Sequence, residues 1–327
     1  MTILVTGSAG HLGEALMRTL RAGGRAAVGM DLTPSPFTDV VGSIRDREFV
    51  RHQLKGVQAI IHAATLHKPH IATHPNQDFI ETNLTGTLVL LEEAVAAGVK
   101  TFVFTSTTSA FGSALTPAPG APAAWVTEDV VPVPRNIYGV TKLAAESLCA
   151  LFHRQQRLAT VVLRTSRFFP EADDDAAIRD HHTIPNAQAN EMLNRRVDLE
   201  DVVCAHLLAV ERASEIGFGR YIISATTPFT RADLRELRTD APAVVHRLFP
   251  DCAAAFAAHG WRLFPRIDRV YVNDRARTDL GWRPKYDFAH VLACLRAGKD
   301  FRSPLARDVG SKGYHATKSE HGPYPVA

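Results

Sequence analysis

The chain has 327 residues, which corresponds to roughly two domains at ~150 residues each, and 46% of its residues are hydrophobic while 22% are charged. This composition is typical of a soluble globular protein and excludes a disordered, collagenous or disulfide-rich chain. Lysine and arginine exceed aspartate and glutamate by 37 − 34 = 3, so net charge gives no reason to expect binding to nucleic acid or to an anionic membrane.

No apolar run approaches the ~18 residues of a membrane span, and the first residues lack the basic and long apolar regions of a signal peptide. The four cysteines are widely spaced and form no Cys-x-x-Cys pair, which favours reduced thiols in the cytoplasm. The 15 histidines are scattered and predict no metal site. We therefore expect a cytoplasmic protein.

The first two thirds of the chain alternate short β-branched runs with longer helical patterns. Near-continuous apolar strands are typical of parallel sheets covered on both faces, and strand–helix alternation predicts a doubly wound α/β fold. The predicted strands are, in chain order, Thr2–Thr6, Ala26–Asp31, Ala59–His62, Thr101–Ser106, Ala159–Arg164 and Arg220–Ser224. The predicted helices are Leu12–Arg21, Asp78–Ala97, Ile137–Arg154 and Asp201–Glu211.

After about Phe168 the pattern becomes irregular, and from Phe229 onward short helical patterns mix with proline-rich stretches. We expect a larger domain over residues 1–167, with the last sheet elements near 198–225 interleaved, and a smaller mixed substrate domain over 168–327. The proline-rich stretch Ser113–Arg135 is predicted to be a long loop over a ligand site, since such loops are usually functional. No structure is predicted for Ser311–Ala327.

A glycine-rich segment, Thr6-Gly-Ser-Ala-Gly-His-Leu-Gly13, follows the first predicted strand and opens the first predicted helix. Glycines there allow a tight turn whose backbone N–H groups approach a pyrophosphate at the positive end of the helix. Asp31 ends the second strand, 18 residues after Gly13, where a carboxylate can accept hydrogen bonds from ribose hydroxyls. Because this carboxylate repels a 2′-phosphate, the pattern predicts NAD rather than NADP.

Tyr138 and Lys142 are spaced i, i+4 in a predicted helix, which places both side chains on one face. A nearby ammonium and the positive ring of an oxidised nicotinamide favour the phenolate and lower the tyrosine pKa. The strand before this helix ends in Ser106-Thr107-Thr108, so hydroxyl groups lie at the carboxyl edge of the sheet, where α/β sheets bind ligands.

Together these motifs resemble the extended short-chain dehydrogenases/reductases, the group of nucleotide-sugar epimerases and dehydratases, over most of the chain. The resemblance also includes His62-Ala63-Ala64, Asn83-Leu-Thr-Gly86, Arg164, Asp198-Leu-Glu-Asp201 and Leu280-Gly-Trp-Arg-Pro284. It implies a Rossmann-type sheet, an NAD cofactor and hydride transfer to or from a hydroxyl carbon of a small-molecule substrate.

In this resemblance Tyr138 exchanges the hydroxyl proton, Thr107 hydrogen-bonds the same oxygen, and Lys142 binds the nicotinamide ribose and keeps Tyr138 acidic. The resemblance places the cofactor against Gly7, Ala9, Gly10, His11, Leu12, Gly13, Asp31, Ser43, Ile44, Ala63, Ala64, Asn83, Thr105, Tyr138 and Lys142.

The sequence departs from this family both at the adenine of the cofactor and at the reacting part of the site. Many relatives have Gly-Asp after the third strand, whereas this chain has Gly42-Ser43-Ile44, so the contact with the adenine amino group is weaker or is made by the backbone. Dehydratases follow the active-site threonine with Asp-Glu, whereas Thr107 is followed by Thr108-Ser109, which argues against dehydration.

Arg167 stands where nucleotide-sugar relatives have asparagine. It either binds a carboxylate or phosphate of the substrate or pairs with the acidic turn Asp173–Asp175. Thr108, Arg167 and Lys68 are the candidate substrate residues, although Lys68 and its neighbours His67 and His70 also suit a solvated loop.

Three functions remain open at this stage. The first is an epimerase of a sugar or nucleotide sugar that holds NAD through each cycle, and the second is a dehydrogenase of a sugar acid or other small hydroxy compound that exchanges NAD. The third is a non-catalytic NAD-binding scaffold, which the presence of Thr107, Tyr138 and Lys142 disfavours. Apolar stripes on two of the predicted helices, for example at Leu84, Leu88, Leu91 and Val95, together with the family resemblance, predict a homodimer.

Overall fold

The computed structural model describes residues 1–173 and 175–312. The strands are β1 (Ile3–Thr6), β2 (Ala27–Asp31), β3 (Val40–Val41), β4 (Ala59–His62), β5 (Thr101–Thr107), β6 (Ala124–Val126), β7 (Ala159–Thr165), β8 (Phe218–Ile223) and β9 (Arg269–Tyr271).

The helices in the first two thirds are α1 (His11–Ala22), α2 (Arg47–Gln53), α3 (Asn76–Phe79), α4 (Gly86–Ala96), α5 (Ile137–Gln156), α6 (Ala176–His181), α7 (Ile184–Glu191) and α8 (Leu199–Ile216). A π-helical segment, Ile80–Thr85, joins α3 to α4, so the predicted helix over residues 78–97 is one continuous rod. The later helices are α9 (Leu234–Leu237), α10 (Ala241–Leu248), α11 (Cys252–Ala257), α12 (Asp274–Asp279), α13 (Phe288–Arg296) and α14 (Pro304–Val309).

Seven strands form one parallel sheet in the order β3-β2-β1-β4-β5-β7-β8. One hydrophobic cluster covers one face with α1, α8 and α14, and another covers the opposite face with α2, α4 and α5. This confirms the predicted doubly wound fold. The strand order reverses between β1 and β4, and such a switch point is where open α/β sheets bind ligands, outside the carboxyl ends of the strands.

A separate hydrophobic cluster is built mainly from residues after Ala189, including Phe229, Val244 and Phe288, and it also takes in Ala123. Helices α6 and α7 lie in the stretch after Phe168, where the hydrophobic pattern is irregular. The division of the chain into two domains with a boundary near residue 167 stays a prediction.

The stretch Ser113–Arg135 differs from its prediction as a loop over a ligand site. It contains β6, which pairs in parallel with β9, and Gly112 forms a bridge with Val133. None of the described residues from 113 to 135 lines the large cavity, and Trp125, Thr127 and Glu128 line a different cleft instead. The prediction was wrong because the strand that holds this stretch comes from a distant part of the chain.

Within residues 1–173 and 175–312, no helix combines the length and the apolar character that crossing a membrane requires. Only Ser311 and Lys312 of the predicted unstructured tail belong to the described part of the chain, and the rest of that prediction lies outside it.

Candidate active site

A cavity of about 660 Å³ opens at the switch point of the sheet. Its walls contain the glycine-rich turn after β1, the ends of β2, β4 and β5, the start of α5 and the segment after β7. All the predicted site residues line this cavity except Asn83 and Lys142, which are buried behind its wall.

The glycine-rich turn has no space for a side chain at Gly7 or at Gly13. A Cβ on Gly13 would lie 1.9 Å from the Gly7 carbonyl oxygen, and a Cβ on Gly7 would lie 2.7 Å from the Ala64 backbone nitrogen. Gly7 also has φ +76°, a backbone conformation that favours glycine. Gly10 caps α1 without a side chain, so the first N–H groups of the helix face the cavity as a site for an anion.

Asp31 lies at the end of β2 and lines the cavity. Its Oδ2 atom accepts a hydrogen bond from Ala9 N at 2.9 Å, and its Oδ1 atom accepts one from Thr33 N at 2.9 Å. Each carboxylate oxygen keeps accepting capacity for a second partner. The residue is therefore held beside the glycine-rich turn in the position that suits a ribose.

Asn83 acts from behind the cavity wall. Its amide accepts hydrogen bonds from Leu66 N at 2.8 Å and Thr65 Oγ1 at 2.9 Å, and it donates to Leu66 O at 2.8 Å and Thr141 Oγ1 at 3.1 Å. It thereby ties the loop after β4 to helix α5. Its predicted direct contact with the cofactor stays a prediction.

Tyr138 and Thr107 meet inside the cavity. Thr107 is the last residue of β5, Tyr138 lies in the first turn of α5, and Asn136 caps that helix by accepting from Gly139 N at 3.0 Å. Burial raises the pKa of the Tyr138 phenol to about 12, while a hydrogen bond with Thr107 lowers it. Burial thus disfavours the phenolate more than Thr107 supports it, and the predicted lowering of the tyrosine pKa by Lys142 together with an oxidised nicotinamide stays a prediction.

Lys142 is 2% exposed and lies one helical turn after Tyr138. Burial lowers the pKa of its ammonium to about 7, and the nearby Glu146 carboxylate partly opposes that shift. The ammonium lies 4.1 Å from the ring centre of Phe104, a cation–π contact that partly compensates the lost hydration. An amine buried here gains from any further oxygen partner, such as a ribose hydroxyl.

Thr105 and Thr108 present hydroxyls to the cavity from either side of Thr107. Thr105 Oγ1 lies 2.9 Å from Nε2 of the buried His206, whose Nδ1 atom lies 2.8 Å from the Val202 carbonyl oxygen. Since the Val202 carbonyl oxygen only accepts, His206 Nδ1 carries the proton and donates to it. Nε2 therefore accepts a hydrogen bond from the Thr105 hydroxyl, whose oxygen lone pairs face the cavity. Thr108 Oγ1 donates a long hydrogen bond of 3.4 Å to Thr165 O.

Arg167 follows β7 and both lines the cavity and pairs with acidic groups. Its Nη1 lies 3.4 Å from Asp173 Oδ2, and its Nη2 donates to Ala172 O at 2.6 Å. The ion pair with Asp173 that the sequence offered as one alternative is therefore present, while Asp174 of that acidic turn lies outside the described residues. Arg167 is two residues beyond Thr165, which pairs with Thr107 across the sheet, so it stands near the reacting hydroxyls.

Sequence reasoning missed several residues that the fold brings to this cavity, namely Arg45, Ser166, Phe169, Arg195, Arg269, Tyr271 and Lys312. Arg269 and Tyr271 lie two residues apart on β9, so they share one face of the strand. The alternation of Arg269, Val270 and Tyr271 between the two faces of a strand is the one local signal that could have indicated them. Arg195 and Lys312 stand in no recognisable motif, and only the tertiary fold brings them here.

More cations than carboxylates line the cavity. Arg45, Lys68, Arg167, Arg195, Arg269 and Lys312 line it, whereas Asp31 is the one carboxylate among the described lining residues. Several of these cations already pair with carboxylates outside the lining, namely Glu81, Asp173, Glu191 and Glu14. The excess of cations in the lining favours ligands that carry phosphate or carboxylate groups.

Comparison with known proteins decides the family. The model of the NAD dependent epimerase/dehydratase family matches residues 3–223, which include the glycine-rich turn, Thr107, Tyr138 and Lys142. The chain belongs to this family. As a member of this family, it is an enzyme with NAD as its cofactor.

The chain is also similar to individual proteins. The chain is 29% identical over 328 residues to UDP-glucose 4-epimerase of Rhizobium leguminosarum bv. trifolii, which covers 89% of this chain and 95% of that protein. It is 32% identical over 169 residues to the uncharacterized protein y4nG of Sinorhizobium fredii, half of this chain but only 40% of that protein. A solved short-chain dehydrogenase/reductase superfamily protein from Agrobacterium tumefaciens with bound NAD has a TM-score of 0.64 at 24% identity, covering 91% of this chain and 98% of the other.

The described residues fit the cofactor. A pyrophosphate site is formed by the tight turn, which has no space for a Cβ at Gly7 or Gly13, and by the open N-terminus of α1. The fixed Asp31 carboxylate supplies an adjacent ribose site. The carboxyl ends of β5 and the start of α5 then supply hydroxyl groups at the other end of the same cavity.

Proposed function

We propose that this enzyme uses bound NAD to oxidise a hydroxyl of a sugar nucleotide and to reduce the resulting ketone on its other face, which makes it an epimerase. The observation that carries this proposal is that Tyr138 and Thr107 line the same cavity as the dinucleotide turn, with Thr107 placed so that it lowers the pKa of the Tyr138 phenol. When bound, NAD would supply a hydride acceptor for the oxidation and a hydride donor for the reduction.

The three proposed catalytic residues have different roles. Tyr138 takes the proton from the substrate hydroxyl as its carbon loses the hydride, and it returns the proton when the ketone is reduced. Thr107 donates a hydrogen bond to the same substrate oxygen. Lys142 holds the nicotinamide ribose and stabilises the Tyr138 phenolate when its own ammonium is protonated.

Water elimination is not part of the proposal. It needs a carboxylic acid or carboxylate near the reacting carbon, and Thr108 and Ser109 follow Thr107 instead. Among the described residues that line the cavity, the sole carboxylate is Asp31 at the far end.

A sugar-acid dehydrogenase is the second candidate, and the arginine cluster formed by Arg167, Arg195 and Arg269 favours it. Arg195 Nη2 lies 2.7 Å from Asp173 and 2.9 Å from Glu191, and Arg167 Nη1 lies 3.4 Å from the same Asp173, so two arginines already meet two buried carboxylates. The Nε atom of Arg269 is buried and has no hydrogen-bond partner among the described residues. A substrate oxyanion satisfies that nitrogen, whether it comes from a diphosphate or from a sugar carboxylate.

Cofactor retention separates the two candidates. The freshly purified protein is denatured, and the released nicotinamide nucleotide is measured by absorbance and mass. Near-stoichiometric NAD, with conversion of UDP-glucose to UDP-galactose followed by chromatography, supports the epimerase. Little released NAD, with NADH formed from added NAD and a sugar acid, supports the dehydrogenase.

The control for both reactions is Tyr138→Phe, which keeps the cavity and removes the hydroxyl. Loss of either conversion in this variant ties the activity to the proposed site. Full activity of the variant refutes the catalytic assignment of Tyr138.

A further inference from the structure

Ser311 and Lys312, the last described residues, lie against the glycine-rich turn although they are some 300 positions away in sequence. Helix α14 anchors them, because Leu305, Ala306 and Val309 pack into the same hydrophobic cluster as α1. The helix ends at Gly310, whose φ of +60° redirects the backbone. We call Ser311 and Lys312 the 311–312 latch.

The latch makes three polar contacts around the start of α1. Ser311 Oγ donates to Glu171 Oε1 at 2.7 Å, Lys312 N lies 3.1 Å from His11 Nε2, and the Lys312 ammonium forms an ion pair with Glu14. The same His11 nitrogen lies 3.1 Å from Glu171 Oε1. When this nitrogen is unprotonated it accepts from Lys312 N, and when it is protonated it donates to Glu171 instead. The Ser311 contact with Glu171 and the Lys312 ion pair with Glu14 do not depend on the His11 tautomer.

The charges of Lys312 and Glu14 at the start of α1 affect how strongly the glycine-rich turn binds a pyrophosphate. His11 and Gly13 form the turn, Lys312 lines the cavity beside them, and Glu14 lies within the first turn of α1. A carboxylate so close to the helix N-terminus opposes binding of another anion, whereas the Lys312 ammonium neutralises it and adds a cation at the edge of the site.

We propose that the 311–312 latch is part of the NAD site, and that Lys312 holds the pyrophosphate of the dinucleotide and slows its release. The inference rests on the proposed function only in placing NAD along the glycine-rich turn. It assigns the phosphate-binding role to a segment that the family match over residues 3–223 does not reach. Slow release keeps NAD in place between the two hydride transfers of an epimerase cycle.

The variant Lys312→Ala removes the ammonium without leaving Glu14 alone, because Arg18 also bonds that carboxylate, through its Nε atom at 2.8 Å. The fold of the variant is therefore expected to survive. Lys285→Ala is the matched control, since Lys285 is an exposed lysine paired with Glu200 and it does not line the cavity. Lys312→Arg keeps the positive charge and is expected to release the nucleotide almost as slowly as wild type.

The experiment loads each full-length protein with NADH, dilutes it into excess NAD and follows the loss of bound-nucleotide fluorescence. Loss of one charge-assisted contact predicts release about tenfold faster or more in Lys312→Ala and in the Ser311→Ala/Lys312→Ala double variant. Release from Lys285→Ala is expected to match wild type. Added salt is expected to speed release from wild type more than from Lys312→Ala, because salt screens the ammonium.

Two results overturn the latch in different ways. Wild-type protein that retains nucleotide, together with an unchanged release rate in the double variant, refutes the latch and leaves the proposed function intact. Wild-type protein that takes up no nucleotide refutes the NAD site along the turn and the latch with it. Equal melting temperatures of the nucleotide-free proteins are the check that a change in release does not come from misfolding.

Discussion

At the scale of single residues, the catalytic proposal depends on one phenol whose surroundings work against its ionisation. Burial raises the pKa of Tyr138 to about 12, and the hydrogen bond with Thr107 is the one contribution that lowers it. The chemistry therefore requires positive charge close to the phenol, from Lys142 and from the oxidised cofactor, before Tyr138 can accept a proton.

Removal of the Tyr138 hydroxyl tests this requirement quantitatively. We expect Tyr138→Phe to lower kcat by about 10²- to 10⁴-fold, the usual range for loss of a general acid–base group, while the Kd for NAD changes little. Steady-state kinetics and nucleotide titration measure the two effects. Thr108→Val, which changes a neighbouring cavity hydroxyl outside the proposed proton-transfer set, is the comparison and is expected to lose far less.

Burial of the Lys142 ammonium makes the free energy of unfolding depend on pH. Its pKa is about 7 in the folded protein and 10.5 when unperturbed, so the unfolded chain binds more protons between these values. The free energy of unfolding of the NAD-free protein therefore rises with pH through this window. Denaturant titrations between about pH 7 and pH 9 are expected to show this rise in wild type and a flatter curve in Lys142→Met. Equal slopes contradict the proposal that Lys142 is the buried amine responsible.

At the scale of the elements, close packing of backbone decides where the cofactor turn sits. The contact of Gly13 with Gly7 holds α1 directly against the end of β1, whereas a Cβ on Gly10 would keep 3.4 Å from its nearest neighbour. We expect Gly13→Ala to lower the free energy of unfolding of the NAD-free protein by about 1–3 kcal/mol or more, because the Cβ would meet backbone that cannot move aside. Gly10→Ala, measured by the same denaturant titration, is expected to change it much less.

A buried ion pair joins α5 to β7 behind the catalytic residues. Glu146 accepts from Arg164 Nε at 3.0 Å, Arg164 Nη2 at 2.7 Å and Ser106 Oγ at 2.6 Å. Breaking such a pair leaves a buried charge, so Glu146→Gln is expected to cost about 3–5 kcal/mol of stability. The Glu146→Gln/Arg164→Met double variant removes both charges and is expected to recover part of this loss. A double variant as unstable as the sum of its single changes is the contrary result.

At the scale of the whole molecule, α4 and α5 pack side by side on one face of the sheet and keep part of their apolar surface outside the core. Leu91 is buried in the hydrophobic cluster there, but Leu84 and Leu88 are only half-buried and Val140 is 46% exposed. The homodimer therefore stays a prediction with a defined surface. Sedimentation is expected to give the mass of a dimer for wild type and a shift to monomer for Leu84→Glu/Leu88→Glu, while a monomeric wild type refutes it.

The sheet and the dinucleotide turn were predictable because their signals are local. Apolar runs defined five of the seven main-sheet strands closely, and the strand–glycine–helix order located the turn between Gly7 and Gly13. The two-residue strand β3 was too short to give a pattern, and β8 begins two residues earlier than expected.

The substrate end of the cavity was not predictable for a physical reason. Arg195, Arg269 and Lys312 come from separate segments, and each reaches the site through contacts that no spacing reveals. Asn194, for example, bonds the Arg269 carbonyl at 2.8 Å and so brings β9 beside Arg195. Arg167 could be identified from the sequence because it replaces the asparagine of a short contiguous motif. Arg195, Arg269 and Lys312 lie in no such motif.

The pairing of β6 with β9 also has a consequence for how the chain is synthesised. Ala124 pairs with Arg269, 145 residues later, so the partner of β6 leaves the ribosome long after the large sheet has all its strands. Until then the nascent chain presents an unpaired strand edge next to Trp125, a feature that invites aggregation. Late translation of residues 269–271 delays this small ladder until after the large sheet, and it sets the interval during which a chaperone would protect the unpaired edge of β6.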